Sequence, residues 1–125
     1  DPRAVSASEK APAGGDVAAT VSGFPGSAGI VEGTARVIIS AAEGARLKPG
    51  DILVTNVTNV GWTPLFPRAA AVVTNVGAPL SHAAIVAREL GIPAVVGCGN
   101  ATEVIADGDR VRVDGSTGRV SVLRS

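Results

Sequence analysis

The chain has 125 residues, the length of one ordinary domain, and 46% of them are apolar. Aromatic residues make up only 2%, so a core must be built from Val, Ala, Ile and Leu around Phe24, Trp62 and Phe66. Lys plus Arg equals Asp plus Glu at 11 each, which excludes the basic excess of a nucleic-acid binder, and no apolar run reaches the ~20 residues of a membrane span.

Residues 1–19 are rich in Ala, Pro, Gly and Ser and show no sustained periodicity. They read as a linker or flexible tail, with the folded domain over residues 20–125. They lack the charged start and apolar stretch of a signal peptide. The chain contains no methionine, so it does not begin at a start codon and is expected to be processed or cut from a larger protein. Residues 29–39 read as a strand, with Val31, Ala35 and Val37 alternating and Gly33 placed for a bulge. Residues 48–51 (KPGD) form a turn, and residues 52–55 a short buried strand. A short helix is expected to open at Thr63-Pro64, since Pro fits a first turn. Residues 70–74 (AAVVT) have the unbroken apolar character of a strand covered on both faces.

A loop follows over residues 77–80. Ser81 is then placed as an N-cap, and residues 82–90 form a helix with an apolar face. Gly91 stops it and Pro93 prevents its continuation. Residues 94–96 read as the next strand, Asn100 as the cap of a short helical turn, and residues 110–114 and 119–123 as a hairpin. Ala and Gly allow close backbone approach and Val favours strands, so a compact α/β domain with thin layers is expected.

His82 is the one histidine in the chain, and it stands at a predicted helix start. The first N–H groups of a helix lack internal acceptors and carry partial positive charge, so an anion such as a phosphoryl group is stabilised there. A neutral imidazole nitrogen has the lone pair needed to attack phosphorus. Ser81 offers a hydroxyl beside it, and Gly77 and Ala78 let the backbone approach closely. Thr74 and Asn75 close the preceding strand, placed either to orient the imidazole or only to end the strand. No second histidine and no Cys-based cluster accompany His82, so no metal ligands are assigned. Ser81 and His82 are adjacent and do not face each other as a catalytic pair would. Cys98 reads as a packed small residue, consistent with a reducing cytoplasm. Arg88 falls on a different helical face from His82 and reads as structural or interface-facing ahead of phosphate-binding. Phe66 reads as core; Trp62 fits either the core or a docking face.

Residues 77–97 (GAPLSHAAIVARELGIPAVVG) resemble the phosphohistidine segment of the phosphoenolpyruvate-utilising enzymes. That family includes pyruvate phosphate dikinase, phosphoenolpyruvate synthase, enzyme I of the sugar phosphotransferase system and rifamycin phosphotransferase. Residues 23–29, 33–37, 49–54, 62–66 and 107–118 resemble other parts of the domain in the same order. The resemblance implies a swivelling β/β/α domain whose helix starts at the phosphohistidine. His82 would carry a phosphoryl group between an ATP-grasp nucleotide-binding domain and an acceptor-binding domain of the same full-length chain, with pyruvate or a rifamycin-like molecule as acceptor. ATP and Mg²⁺ would belong to those partners and no cofactor to this domain, with Gly77, Ala78, Ser81 and Thr74 supporting the phosphate loop. Two positions depart from the pattern: Leu80 stands where the family often has Thr, and Ala28 where it usually has Pro. Leu80 and residues 62–66 look closer to the synthase and rifamycin-phosphotransferase branches. The alternative is a swivelling module that binds or regulates without carrying phosphate.

Overall fold

The computed structural model describes residues 16–124. In chain order it runs β1 (Asp16–Ser22), β2 (Phe24–Ser27), β3 (Ile30–Val37), η1 (Ala41–Arg46), β4 (Ile52–Thr55), η2 (Val60–Arg68), β5 (Ala71–Thr74), α1 (His82–Leu90), β6 (Ala94–Val96), α2 (Ala101–Val104), β7 (Arg110–Asp114) and β8 (Arg119–Arg124), with η1 and η2 as 3₁₀ helices. The strands join in the order β1-β8-β7-β3-β4-β5-β6-β2.

β3 is the joint of this sheet. Its residues 30–34 pair antiparallel with β7, and Ala35, Arg36 and Val37 pair parallel with β4. One half is therefore an antiparallel set, β1-β8-β7-β3, in which β1 pairs with β8 from Asp16↔Arg124 to Ser22↔Arg119. The other half is the parallel set β3-β4-β5-β6, edged by the antiparallel β2.

Side-chain alternation then builds two cores. Ile52, Val54, Ala71, Val73 and Val95 pack against Val21, Val111, Val113, Val120 and Val122 of the antiparallel half. Leu53, Val72, Ala94 and Val96 point the other way, onto Ala83, Ala84 and Ala87 of α1 and Trp62, Leu65 and Phe66 of η2. The result is a mixed α/β fold in three layers: sheet, sheet, helices. Every residue of β4, β5 and β6 is buried, as their unbroken apolar runs require. Alanines on α1 allow a close approach to the sheet. A Cβ on Gly26 of β2 would already sit 3.2 Å from the Ala84 Cβ.

α1 has the predicted ends. Ser81 is its N-cap, and Gly91 takes the left-handed conformation at φ 75°, its N–H donating to the Ala87 and Arg88 carbonyls. The β7–β8 hairpin is also as read: the Asp114 carboxylate accepts from the Ser116 and Thr117 amides across its turn.

Four expectations change. β1 begins at Asp16, ahead of the expected boundary at residue 20, because the Ala-rich stretch that reads as tail supplies an edge strand to β8; residues 1–15 lie outside the described residues. β2 was not read from the sequence, since Pro25 and Gly26 sit within it; Pro is tolerated here because β2 is an edge strand. Gly33 makes no bulge, as its pairing with Val111 is in unbroken register. A side chain there would meet the Gly50 carbonyl oxygen at 2.9 Å, so Gly33 instead lets the turn before β4 close. The segment expected to start at Thr63 is a longer 3₁₀ helix, capped by the Asn59 side chain accepting from the Gly61 amide.

Candidate functional site

In a parallel sheet, the loops that leave the carboxyl ends of neighbouring strands meet. β4 and β5 are neighbours, so the segment after Thr55 lies beside the segment after Thr74. The first carries Thr58 and leads into η2. The second is the loop that ends at His82.

His82 is the first residue of α1 and is half-buried. Its Nδ1 lies 2.8 Å from the Thr58 Oγ1, and its Nε2 lies 3.3 Å from the Thr63 Oγ1. The Phe66 ring meets the imidazole edge-on, with centroids 5.7 Å apart and planes at 90°. Three residues of one short segment thus fix both the position and the tilt of the ring. Thr58 is buried and Thr63 is exposed, so Nδ1 faces the protein and Nε2 faces outward.

The loop before His82 is held from several sides. The Thr74 hydroxyl, fully buried, donates to the Val76 carbonyl at 3.0 Å. The Ser81 amide donates to the Ala78 carbonyl at 2.8 Å. Gly77 has φ 149°, and a Cβ on it would lie 3.0 Å from the Ser81 Oγ. Arg88 reaches back from α1 to donate to the Gly26 carbonyl at 2.7 Å and to the Pro79 carbonyl. Asn75 donates to the Thr102 Oγ1 at 2.7 Å and accepts from the Thr102 amide, tying the end of β5 to α2.

Of the residues singled out in the sequence, His82 stands at the centre and Gly77, Ala78 and Ser81 form its loop. Thr74 does not touch the imidazole; it shapes the loop through Val76. Asn75 and Arg88 act on the scaffold. The Ser81 hydroxyl makes no capping bond, and its oxygen is buried without a hydrogen-bond partner among the described residues, as is that of Thr55 at the end of β4. Trp62 and Phe66 are both buried under α1. Cys98 packs against the core between the sheets, and burial pushes its thiol up to about 11, well away from a reactive thiolate. Among the described residues no group of three His, Cys, Asp or Glu side chains could hold a metal ion.

Thr58 and Thr63 were not read as site residues. They lie 24 and 19 residues before His82, and nothing in the local sequence distinguishes them from loop threonines. The signal that finds them is topological: a hydroxyl just past the carboxyl end of one parallel strand, beside a histidine past the end of the next.

A rifampicin phosphotransferase from Bacillus cereus is 53% identical over 106 residues, which is 85% of this chain and 12% of the relative. The phosphoenolpyruvate synthase of Escherichia coli is 53% identical over 91 residues, 70% of this chain and 12% of the relative. An NMR structure of enzyme I is 36% identical and superposes with a TM-score of 0.58, covering 66% of this chain and 34% of that one. The chain thus spans about an eighth of the length of these full-length relatives. Residues 47–118 match the family model described as the mobile domain of PEP-utilising enzymes, and with relatives this similar along most of its length the chain belongs to that family.

Proposed function

We propose that this domain is a phosphoryl carrier, in which His82 takes a phosphoryl group at a nucleotide site and delivers it to an acceptor site. The observation that carries the reading is the asymmetric grip on the imidazole: Nδ1 held inward by buried Thr58, Nε2 turned outward beside exposed Thr63. With its proton on Nδ1, donated to the Thr58 Oγ1, the ring keeps its lone pair on Nε2. That lone pair attacks phosphorus in line, and the bond to the leaving oxygen breaks with its electron pair. Delivery reverses the step, as an acceptor oxygen attacks and the electron pair returns to Nε2. Thr58 holds the Nδ1 proton throughout, so the ring does not rotate out of line. The partial positive charge at the start of α1 favours the arriving anion.

Among the described residues no cationic side chain contacts His82, so the charge needed to stabilise the transferring group comes from elsewhere. We assign it to an ATP-grasp domain that binds ATP and Mg²⁺, and to an acceptor domain for pyruvate or a rifamycin-like molecule, all in one cytoplasmic polypeptide. The length of the relatives and their names, rifampicin phosphotransferase and phosphoenolpyruvate synthase, support this arrangement. A single histidine then meets two sites by moving as a domain.

The test is to incubate the full-length protein with radiolabelled ATP and map the label. An acid-labile, base-stable phosphate on His82, lost in His82→Ala with the thermal midpoint unchanged, is expected. Label that persists in His82→Ala, or no label in the wild type, would overturn the carrier role; the second result would favour a non-catalytic swivelling module.

A further inference from the structure

The surface around His82 is as distinctive for what it lacks as for what it holds. From residue 52 to residue 87 the chain carries one Arg, Arg68, and no Lys, Asp or Glu, and Arg88 just beyond it is bonded to the Gly26 and Pro79 carbonyls. Both segments that build the site fall in this span. Ion pairs gather instead around Asp51, at the amino end of β4, where Arg36, Arg46 and Asp107 join in one cluster.

In place of charge the site has exposed apolar side chains. Val57 precedes Thr58, Val60 opens η2, and Val76 and Leu80 lie in the histidine loop. All four are exposed, Val60 and Leu80 to 80%. Ile85 is also exposed, and at three positions after His82 it shares that residue's face of α1. Half of the exposed large hydrophobic residues of the described chain thus lie in the two loops and the first turn of α1 that build the site. Scattered singly they would need no explanation; gathered around a reactive group they mark an interaction surface.

We propose that Val57, Val60, Val76, Leu80 and Ile85 form an apolar collar that docks on the rim of the nucleotide-binding site in the same polypeptide and excludes water while the phosphoryl group crosses to His82. This rests on the carrier reading. The occupant follows from three observations. The collar residues lie in the same segments as His82, Thr58 and Thr63, so whatever covers them brings its own reactive centre to the ring. Among the described residues no cation contacts the ring, so that centre must supply the cations itself. The relatives are about eight times longer than the matched chain, which provides a partner surface in cis. An uncharged collar also suits a shuttle: it neither repels a polyanionic nucleotide nor holds it by charge, and apolar contact seals the site against hydrolysis.

The test uses the full-length protein and the rate at which radiolabelled ATP marks His82. The variants are Leu80→Asp, Leu80→Lys and the pair Val60→Asp with Leu80→Asp, set beside Leu80→Met and Val60→Ile. The Asp and Lys variants are expected to slow labelling at least tenfold, with ATP affinity and thermal midpoint unchanged. The Met and Ile variants are expected to stay near the wild-type rate. Three results would overturn the collar: Asp variants that label at the wild-type rate, a Lys variant that labels faster because charge steers the encounter, or wild-type self-association that the Asp variants abolish without slowing labelling. Each of these leaves the carrier role standing, since His82 is still labelled. Failure of the wild type to label would remove both.

Discussion

Replacing Thr58 with Val keeps the shape of the side chain and deletes one oxygen. That oxygen is the inward partner of the His82 Nδ1 at 2.8 Å, and Thr58 is 6% exposed. Water has little access to replace it, so the substitution leaves a ring N–H unsatisfied in a part-buried site. Such an orphaned group costs about 1–3 kcal/mol. The penalty grows as the ring gains positive charge on attacking phosphorus, because the bond becomes charge-assisted. If the cost falls mainly on the phosphorylated form and the transition state leading to it, labelling should slow by about 5- to 150-fold, at about 1.4 kcal/mol for each factor of ten. Thr63→Val is the control. Its hydroxyl is exposed and 3.3 Å from Nε2, so water substitutes and a change of less than about threefold is expected. Rapid-quench measurement of phosphohistidine on the full-length protein reads both, with the thermal midpoint checking the fold. A Thr58→Val protein that labels at the wild-type rate would refute the role of Thr58. A larger loss in Thr63→Val than in Thr58→Val would mean that the nucleophilic nitrogen is assigned to the wrong side of the ring.

Two further outcomes follow from the scaffold. Gly97 has φ 68°, and a Cβ on it would lie 2.6 Å from the Gly77 carbonyl oxygen, whereas Gly99 at φ 83° has nothing within 4 Å; Gly97→Ala should therefore cost about 2–5 kcal/mol in chemical denaturation and Gly99→Ala only about 1–2, from backbone strain alone, and equal losses would contradict the clash. For Asp107, burial opposes ionisation, but the Val37 amide and the Arg46 and Arg36 guanidiniums outweigh it and hold the carboxyl below its ordinary range. Its stabilisation is thus present above the unfolded pKa of about 4 and is lost as pH falls through the lower folded value. Asp107→Asn should lower the thermal midpoint at neutral pH, with the gap to the wild type closing on acidification; a gap that widens in acid would contradict the assignment.

The parallel strands were legible because burial on both faces leaves an unbroken apolar run, as in residues 71–73, and α1 because Ser81, Gly91 and Pro93 mark its ends. The antiparallel hairpin showed in the alternation of Val111, Val113, Val120 and Val122. β2 was hidden because an edge strand can carry Pro25 and Gly26, and β1 because alanine carries little strand signal. The site was half legible. His82 declares itself by its place at a helix start, and the loop before it by its glycine. Thr58 does not, because its role depends on β4 and β5 lying side by side, a fact of topology that no local pattern of residues expresses.

The pairing of β1 with β8 has a mechanical consequence. Asp16 and Arg124 are partners at the same end of that ladder, so the polypeptide enters and leaves the domain side by side. Tension applied through the two flanks pulls that ladder open rung by rung, as a zipper, instead of loading all of its hydrogen bonds at once in shear. Under that load the sheet opens first at its β1 edge. β3, bonded on one side to β7 and on the other to β4, keeps that load from the rungs that align His82 with Thr58.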